Sequence, residues 1–600
     1  MKIKIPLMIQ DPRTSRIEGK KLVEGFHPEL ETFFLDGPIN KRVAVLDFSP
    51  KTGALEPGAR FVPPPPNRRL GWYETASSKK NLNDFKKEED LYSPEFMQVS
   101  VFASVLRTMY MFERGDTLGR SLSWAFDAPQ LLVIPRAGEW ANAFYHRDSH
   151  SLNFFYFPHP KYKEKLIYTC LSRDIVAHET GHANIDGIAP DLFDSCTPQS
   201  LAIHEAIADL TALLMSFSSP NLVKAILKDT KGDIKDTTEF SSIAEQVGDV
   251  LKGGGRCLRD LNNDKNLNPD DINNFVGEDE PHALSEVLSG ALYKVMQKIH
   301  EGLRNELAKT EYSTFPDPLF SVSGKALAVG ATHFKRMIFR GLDYLTCGNV
   351  SFVDYARAII AADEIAYPAD PKMRDWIRSE FLRRSIINDE AELELDKNFD
   401  VEAAKNTKAS TLYSSDWAAY DFANSNRELL CIPTDVVPFQ VRPRLSVRKK
   451  YDSKNPRGKE GRECIFKVAW NHEEENDIGS RFPQKRHVMV GTTLVFDLEN
   501  DKILARLSSA PPTKYSLKCQ GLAGKRRALS IAEYNRQRSA RDSFLKKLAK
   551  AGVLKIGKQA LSPSGKGLMS AVQVEVSSGI MHTRGMANML HIMGKMECDE

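Results

Sequence analysis

Two histidines and one glutamate carry the most specific chemical signal in the chain. They sit in Ile175-Val-Ala-His178-Glu179-Thr-Gly-His182-Ala-Asn-Ile-Asp-Gly187. On a helix, His178 and His182 lie four apart and project from one face. Two imidazole nitrogens so placed can meet one zinc ion at about 2.0–2.1 Å. Glu179, beside the first ligand, reaches a water on the ion and not the ion itself. Only 14 histidines occur in 600 residues, so a chance pairing of this kind is rare.

A second helix supplies what such a pair lacks. Thr197-Pro198 reads as an N-cap followed by proline at the first helical position. The stretch from Ser200 to Phe217 is apolar enough to be a buried helix, yet it holds Glu205 and Asp209 one turn apart. A buried carboxylate needs a partner or a metal. Glu205 suits a third zinc ligand, and Asp209 suits an acceptor for the outer N–H of a zinc-bound histidine.

With these pieces in place the chain resembles the thermolysin-like branch of the gluzincin metallopeptidases. Beyond the two helices, Asn142-Ala143-Phe144-Tyr145 is similar to that family's substrate-binding edge strand. Pro281-His282-Ala-Leu-Ser285 is similar to the segment carrying its catalytic histidine. The resemblance covers about 130–390. It implies an α+β fold, a thermolysin-like catalytic domain with a mixed β/α lobe and a helical lobe, flanked by smaller β-rich modules. It further implies one Zn2+ on His178, His182 and Glu205, with Glu179 as general base. His282 would hydrogen-bond the oxyanion, oriented by Asp279 or Glu280, with Asp279 the residue chosen. Asn142 and the Ala143 backbone would hold an extended peptide by strand addition.

Two further segments invite ligands. Asp260, Asn262, Asp264, Asn266, Asn268 and Asp271 place oxygen side chains at positions 1, 3, 5, 7, 9 and 12 of an EF-hand-like loop, which expects Ca2+. Lys265 replaces the usual glycine there. Residues 521–558 hold 11 Lys/Arg against 2 Asp/Glu, a net of +9 that leaves −6 on the rest. This reads as a basic helix, either packed on the protein or facing an acidic partner or nucleic acid.

These groups need positioning elements. Apolar residues at Phe96, Val99, Phe102, Val105, Leu106 and Met109 predict a helix over about 94–114. Residues 129–135 and 151–157 read as strands, and a helical zone runs from about 172 to 385. Val488–Leu498 and Ile503–Leu507 flank the turn Glu499–Lys502 and predict a hairpin. The expected division is a β-rich module at 1–75 ending in the Pro63–Pro66 spacer, a catalytic region at 76–425, a β-rich module at 426–520 and a basic segment at 521–600. Within the catalytic region, 172–218 holds the zinc helices and 219–425 the helical lobe.

Composition sets the wider bounds. The chain is 42% hydrophobic and 27% charged, which excludes a mainly disordered protein. Lys plus Arg is 82 and Asp plus Glu 79, a net of +3, which argues against a protein that is chiefly a nucleic-acid binder. Eight scattered cysteines form no Cys-x-x-Cys pair, too sparse for a thiolate zinc cluster or a disulfide scaffold. The N-terminus lacks a secretory apolar run, and no stretch approaches ~18 apolar residues, so no membrane span and a cytoplasmic location are expected. The functional expectation is a zinc-dependent peptidase acting on peptides or proteins, with endopeptidase action ahead of aminopeptidase action. The rival from another class is a zinc-stabilised scaffold, which would have no use for Glu179.

Overall fold

Among the described residues, ten short strands and one long helix precede the histidine motif. A computed structural model describes residues 2–10, 12, 23–84, 88–244, 247–248, 257–310, 318–368, 370–396, 407–450, 460–550, 554–556 and 572–584. Strand β1 (Ile5–Met8) is buried throughout and pairs antiparallel with β2 (Val23–Phe26). Strand β3 (Val43–Val45) is a buried run of β-branched and small residues. Strands β4 (Arg60–Val62) and β5 (Trp72–Glu74) form an antiparallel pair. The four prolines at 63–66 lie in the connection between them. Proline has no N–H for a ladder, so the run ends β4 and turns the chain back. It is a hairpin connection and not the spacer between modules that its composition suggested.

Helix α1 (Pro94–Glu113) starts where Ser93 Oγ accepts the Phe96 N–H at 3.3 Å, with proline in the first turn. The six apolar residues that predicted it are all fully buried. Strands β6 (Leu131–Ile134), β7 (Ala143–His146) and β8 (Ser151–Phe154) follow. The sheet order is β3–β6–β8–β7, parallel except for the antiparallel β7–β8 pair. Strand β7 is therefore at one edge and β3 at the other. A strand from the first 75 residues thus belongs to the sheet beside the histidine motif, and the 75/76 boundary does not hold.

Helices α2 (Arg173–Ile188) and α3 (Pro198–Phe217) pack closely on each other. A Cβ at position 181 would lie 3.2 Å from Ala208 Cα, so any side chain there would push the two helices apart by a few tenths of an ångström. That close approach offsets the roughly 1 kcal/mol that glycine costs inside a helix. Thr197 occupies the N-cap position of α3, but its hydroxyl donates to Ser200 Oγ instead of capping. By length and mean hydropathy, 1.3, α3 would span a membrane; it is instead 94% buried within the protein. Helices α4 (Pro281–Thr310), α5 (Pro318–Tyr344) and α6 (Phe352–Ala366) pack in succession around it. The protein mixes helices and strands, as an α+β chain does.

A second, eight-stranded sheet follows. Its strands are β9 (Gln440–Val441), β10 (Leu445–Lys450), β11 (Glu460–Glu475), β12 (Lys485–Asp497) and β13 (Lys502–Ser508), then β14 (Leu554–Ile556), β15 (Val572–Ser577) and β16 (Ile580–Arg584). The path runs β9–β11–β12–β16–β15–β14, with β10 on β11 and β13 on β12. The expected β12–β13 hairpin forms, its turn held by Asp497 accepting the Glu499 N–H at 2.8 Å. Strands from beyond residue 520 complete this sheet, so 426–520 does not close by itself.

The basic stretch forms helix α7 (Gly524–Lys550). Phe544, Leu545 and Leu548 are buried in the main core, a single cluster that draws residues from Ile3 to Met581. Arg541 pairs with Glu474 at 2.9 Å, Lys546 with Asp477 at 3.0 Å and Lys547 with Asp279 at 3.0 Å. Much of the +9 is thus neutralised within the fold. Residues 551–553, 557–571 and 585–600 of the expected tail lie outside the described residues.

Candidate functional site

The α2–α3 contact brings His178, His182 and Glu205 together, all buried. Their ligand atoms lie within 4.8 Å of one another, and theirs is the only such His/Cys/Asp/Glu grouping among the described residues. His178 Nε2 and His182 Nε2 are 3.0 Å apart. Glu205 Oε1 is 3.3 Å from His182 Nε2, and Oε2 is 3.5 Å from His178 Nε2. Tetrahedral ligands at about 2.1 Å from one ion lie about 3.4 Å apart. Both Glu205 oxygens are buried and accept no hydrogen bond of ordinary geometry among the described residues. A carboxylate so placed is costly unless a cation faces it. Burial works against its charge, but His182, His282 and His178 hold it well below the usual carboxylate range.

The outer ring nitrogens are also engaged. His178 Nδ1 lies 2.9 Å from Asp209 Oδ1, the contact expected from the one-turn spacing on α3. His182 Nδ1 lies 2.7 Å from His204 Nδ1. Burial holds His204 well below the usual imidazole range, hence neutral. The sequence reading missed His204, although it immediately precedes Glu205.

Arg259 was missed as well. Its guanidinium donates to Asp209 Oδ1 at 2.7 Å, stands 3.9 Å from Glu205 Oε2 and approaches His178 Nε2 at 3.4 Å. It comes from the two-residue strand Arg259–Asp260, paired with Ser242–Ile243. The sequence signal was indirect: three buried acids, Glu179, Glu205 and Asp209, call for a buried cation.

Glu179 faces the edge strand. Its Oε2 accepts the Tyr145 N–H at 3.0 Å. Burial pushes its carboxyl up to about 8, with Glu205 adding to the rise. Tyr145 Oη donates to Asp186 Oδ2 at 2.9 Å, and Arg147 Nε to the same oxygen at 2.8 Å, which clamps β7 to α2. Asn142 Oδ1 accepts the Ala143 N–H at 2.9 Å, just before this edge.

His282 is the second residue of α4, and its Nε2 stands 3.8 Å from Glu205 Oε1. Its Nδ1 lies 3.3 Å from Glu280 Oε1. Burial alone would lower its basicity, but Glu280 and Glu205 raise it above the ordinary imidazole value. Asp279 does not take the orienting place chosen for it. It turns the other way, accepting from Ser543 Oγ at 2.6 Å and pairing with Lys547.

The Asp260–Asp271 loop spends its oxygens on protein donors. Asn262 Oδ1 accepts from Lys294 Nζ at 2.7 Å, Asp264 pairs with Arg383 at 3.2 Å, and Asp260 Oδ2 accepts from Thr237 Oγ1 at 2.7 Å. Asn266 Nδ2 donates to Asp271 Oδ2 at 2.6 Å, and Asn268 Oδ1 accepts the Asp270 N–H at 3.1 Å. Lys294 and Arg383 thus meet Asn262 and Asp264, two of the six residues that the EF-hand reading offers to Ca2+. No protein-family model matches the chain, and no curated protein matches it.

Proposed function

We propose that the protein is a zinc-dependent peptidase, with residues of about 130–390 arranged as in the thermolysin-like gluzincins. The observation that carries this is Glu205, a fully buried carboxylate that accepts no hydrogen bond of ordinary geometry among the described residues and faces the Nε2 atoms of a His-Glu-x-x-His helix. Three protein ligands leave an open position, which is the pattern of catalytic and not structural zinc sites. When bound there, the ion would polarise a scissile carbonyl and acidify a water.

The chain's own residues then have definite tasks. Asp209 and His204 engage the outer nitrogens of His178 and His182, which turns both Nε2 lone pairs inward. Glu179 takes a proton from the attacking water and passes it to the leaving amine. Its place against the Tyr145 N–H sets that carboxylate beside the edge on which a peptide would lie. His282, held by Glu280, donates to the developing oxyanion. Arg259 balances the charge of Asp209 and Glu205. A scaffold role would leave Glu179 and His282 without purpose.

The test compares wild type with Glu179→Gln. Purified protein is assayed for metal, then incubated with an unfolded polypeptide, and new N-termini are mapped. Zinc in both proteins and cleavage by the wild type alone is the expected result. Stoichiometric zinc with no cleavage by either would favour the scaffold reading, and absence of metal from both would overturn the proposal.

A further inference from the structure

The large sheet carries a second pairing of metal-binding residue types, far along the chain from the first. Across β11, β12, β16 and β15, in that spatial order, Glu473 faces His487, His487 faces His582 and His582 faces Glu575. Directly opposed residues project from the same face of a sheet. One row therefore reads carboxylate, imidazole, imidazole, carboxylate across strands about 4.8 Å apart.

The two imidazoles lie close enough to share one ion. Their ring centroids are 4.6 Å apart and their planes meet at 88°. The His178–His182 pair has centroids 4.6 Å apart and planes at 90°. Rings bound at about 2.1 Å hold their centroids about 3.2 Å from the ion, so this separation corresponds to a nitrogen–ion–nitrogen angle of roughly 90°. His487 Nδ1 is buried with no hydrogen-bond partner among the described residues. Glu473 is exposed and holds Lys485 Nζ at 2.6 Å, a surface contact that is readily exchanged. Glu575 is likewise exposed.

We propose a second site for a divalent transition metal, on His487 and His582, with Glu473 or Glu575 completing it. Imidazole and carboxylate together suit zinc, nickel or copper(II) better than calcium or magnesium. The site is partly open to solvent and binds more weakly than a buried one. Its role is a clip. Strand β16 joins β12 through only the pairs 485–487 with 580–582, and an ion on this row fastens the β15–β16 hairpin to the sheet. None of this rests on the peptidase reading.

The full chain, stripped with chelator, is titrated with zinc by calorimetry. His487→Asn/His582→Asn and His178→Asn/His182→Asn are titrated alongside. Wild type should take two equivalents, and the His487/His582 variant should lose the weaker one. If that variant binds the same equivalents with the same affinities as wild type, the proposal is overturned. If instead the first site is the one misread, wild type takes a single equivalent that disappears only with His487 and His582. Should the double variant fail to fold by circular dichroism, His582→Asn alone decides. Its side chain is partly exposed, and it should weaken the second equivalent at least tenfold; unchanged affinity would overturn the site.

Discussion

Glu179 accepts the backbone N–H of Tyr145 at 3.0 Å, so the second residue of the histidine motif and the free edge of β7 are held to one another. Glutamine can keep that hydrogen bond through its carbonyl oxygen but cannot take a proton from water. Glu179→Gln should therefore retain the metal and lose a factor of about 10²–10⁴ in turnover, since positioned acid–base groups are worth that much. Single-turnover cleavage of a short peptide measures it, and near wild-type rates would remove Glu179 from the mechanism.

His282→Ala should lower kcat by about 10²–10³ with little change in KM, as expected for a donor that acts in the transition state. Glu280→Gln should give a smaller loss of kcat, because Glu280 acts through His282. Asp279→Asn should leave both constants near wild type and lower Tm instead, through its lost pairing with Lys547. A change only in KM for His282→Ala would make that residue a contact to bound substrate.

Replacing both histidines on α2 removes the two Nε2 atoms at 3.5 and 3.3 Å from the buried Glu205 and leaves His282 Nε2 at 3.8 Å. His178→Ala/His182→Ala should contain no tightly bound zinc by elemental analysis. Its Tm should rise less on adding zinc than that of the stripped wild type. Full zinc occupancy at this site in the variant would displace the assignment.

Glu474 Oε1 accepts from Arg486 Nε at 2.7 Å and from Arg541 at 2.9 Å, and Oε2 accepts from Tyr534 Oη at 2.9 Å. Burial works to raise its pKa, but Arg541 and Arg486 outweigh that and the net direction is down. A depressed folded value means the contribution is complete above the unfolded value, about 4.3, and fades as pH falls through the folded one. Glu474→Gln should cost about 3–5 kcal/mol at pH 7, because it leaves two arginines buried with one partner fewer. Thermal unfolding across acid pH should show the gap between the two proteins closing below about pH 4. A gap that stays constant would contradict the pairing.

A chain ending at residue 523 should not fold. It loses Phe544, Leu545 and Leu548 from the main core, each worth about 1.5–3 kcal/mol of burial, against a total stability of about 5–15 kcal/mol. Soluble yield and circular dichroism check this. A truncated protein that folds and keeps its metal would restore the tail as a separate recruiting segment.

The metal site was legible because its parts are local. Helical spacing alone places His178, Glu179 and His182, and an apolar helix interrupted by Glu205 and Asp209 announces two acids that need partners. Residues that arrive from other elements left no such mark. Arg259 and Tyr145 join the site through packing, and nothing in spacing separates Glu280 from Asp279 as the neighbour of His282. Texture misled in two places. A run of prolines serves a hairpin connection as well as a spacer, and a basic run whose charges meet Glu474, Asp477 and Asp279 reads no differently from one facing a partner. The Asp260–Asp271 loop shows the same ambiguity, since its oxygens look alike whether they await an ion or meet Lys294 and Arg383.

The burial of α3 has a consequence for how the protein is made. This helix is apolar enough to cross a membrane, and it is covered by α4, α5, α6 and, near the end of the chain, α7. On a ribosome it emerges more than 300 residues before α7 does. The three proposed metal ligands, His178, His182 and Glu205, are then present, while the surfaces that cover α3 are still unmade. The growing chain exposes this apolar segment until those helices are made, the situation in which unfinished proteins aggregate or require a chaperone.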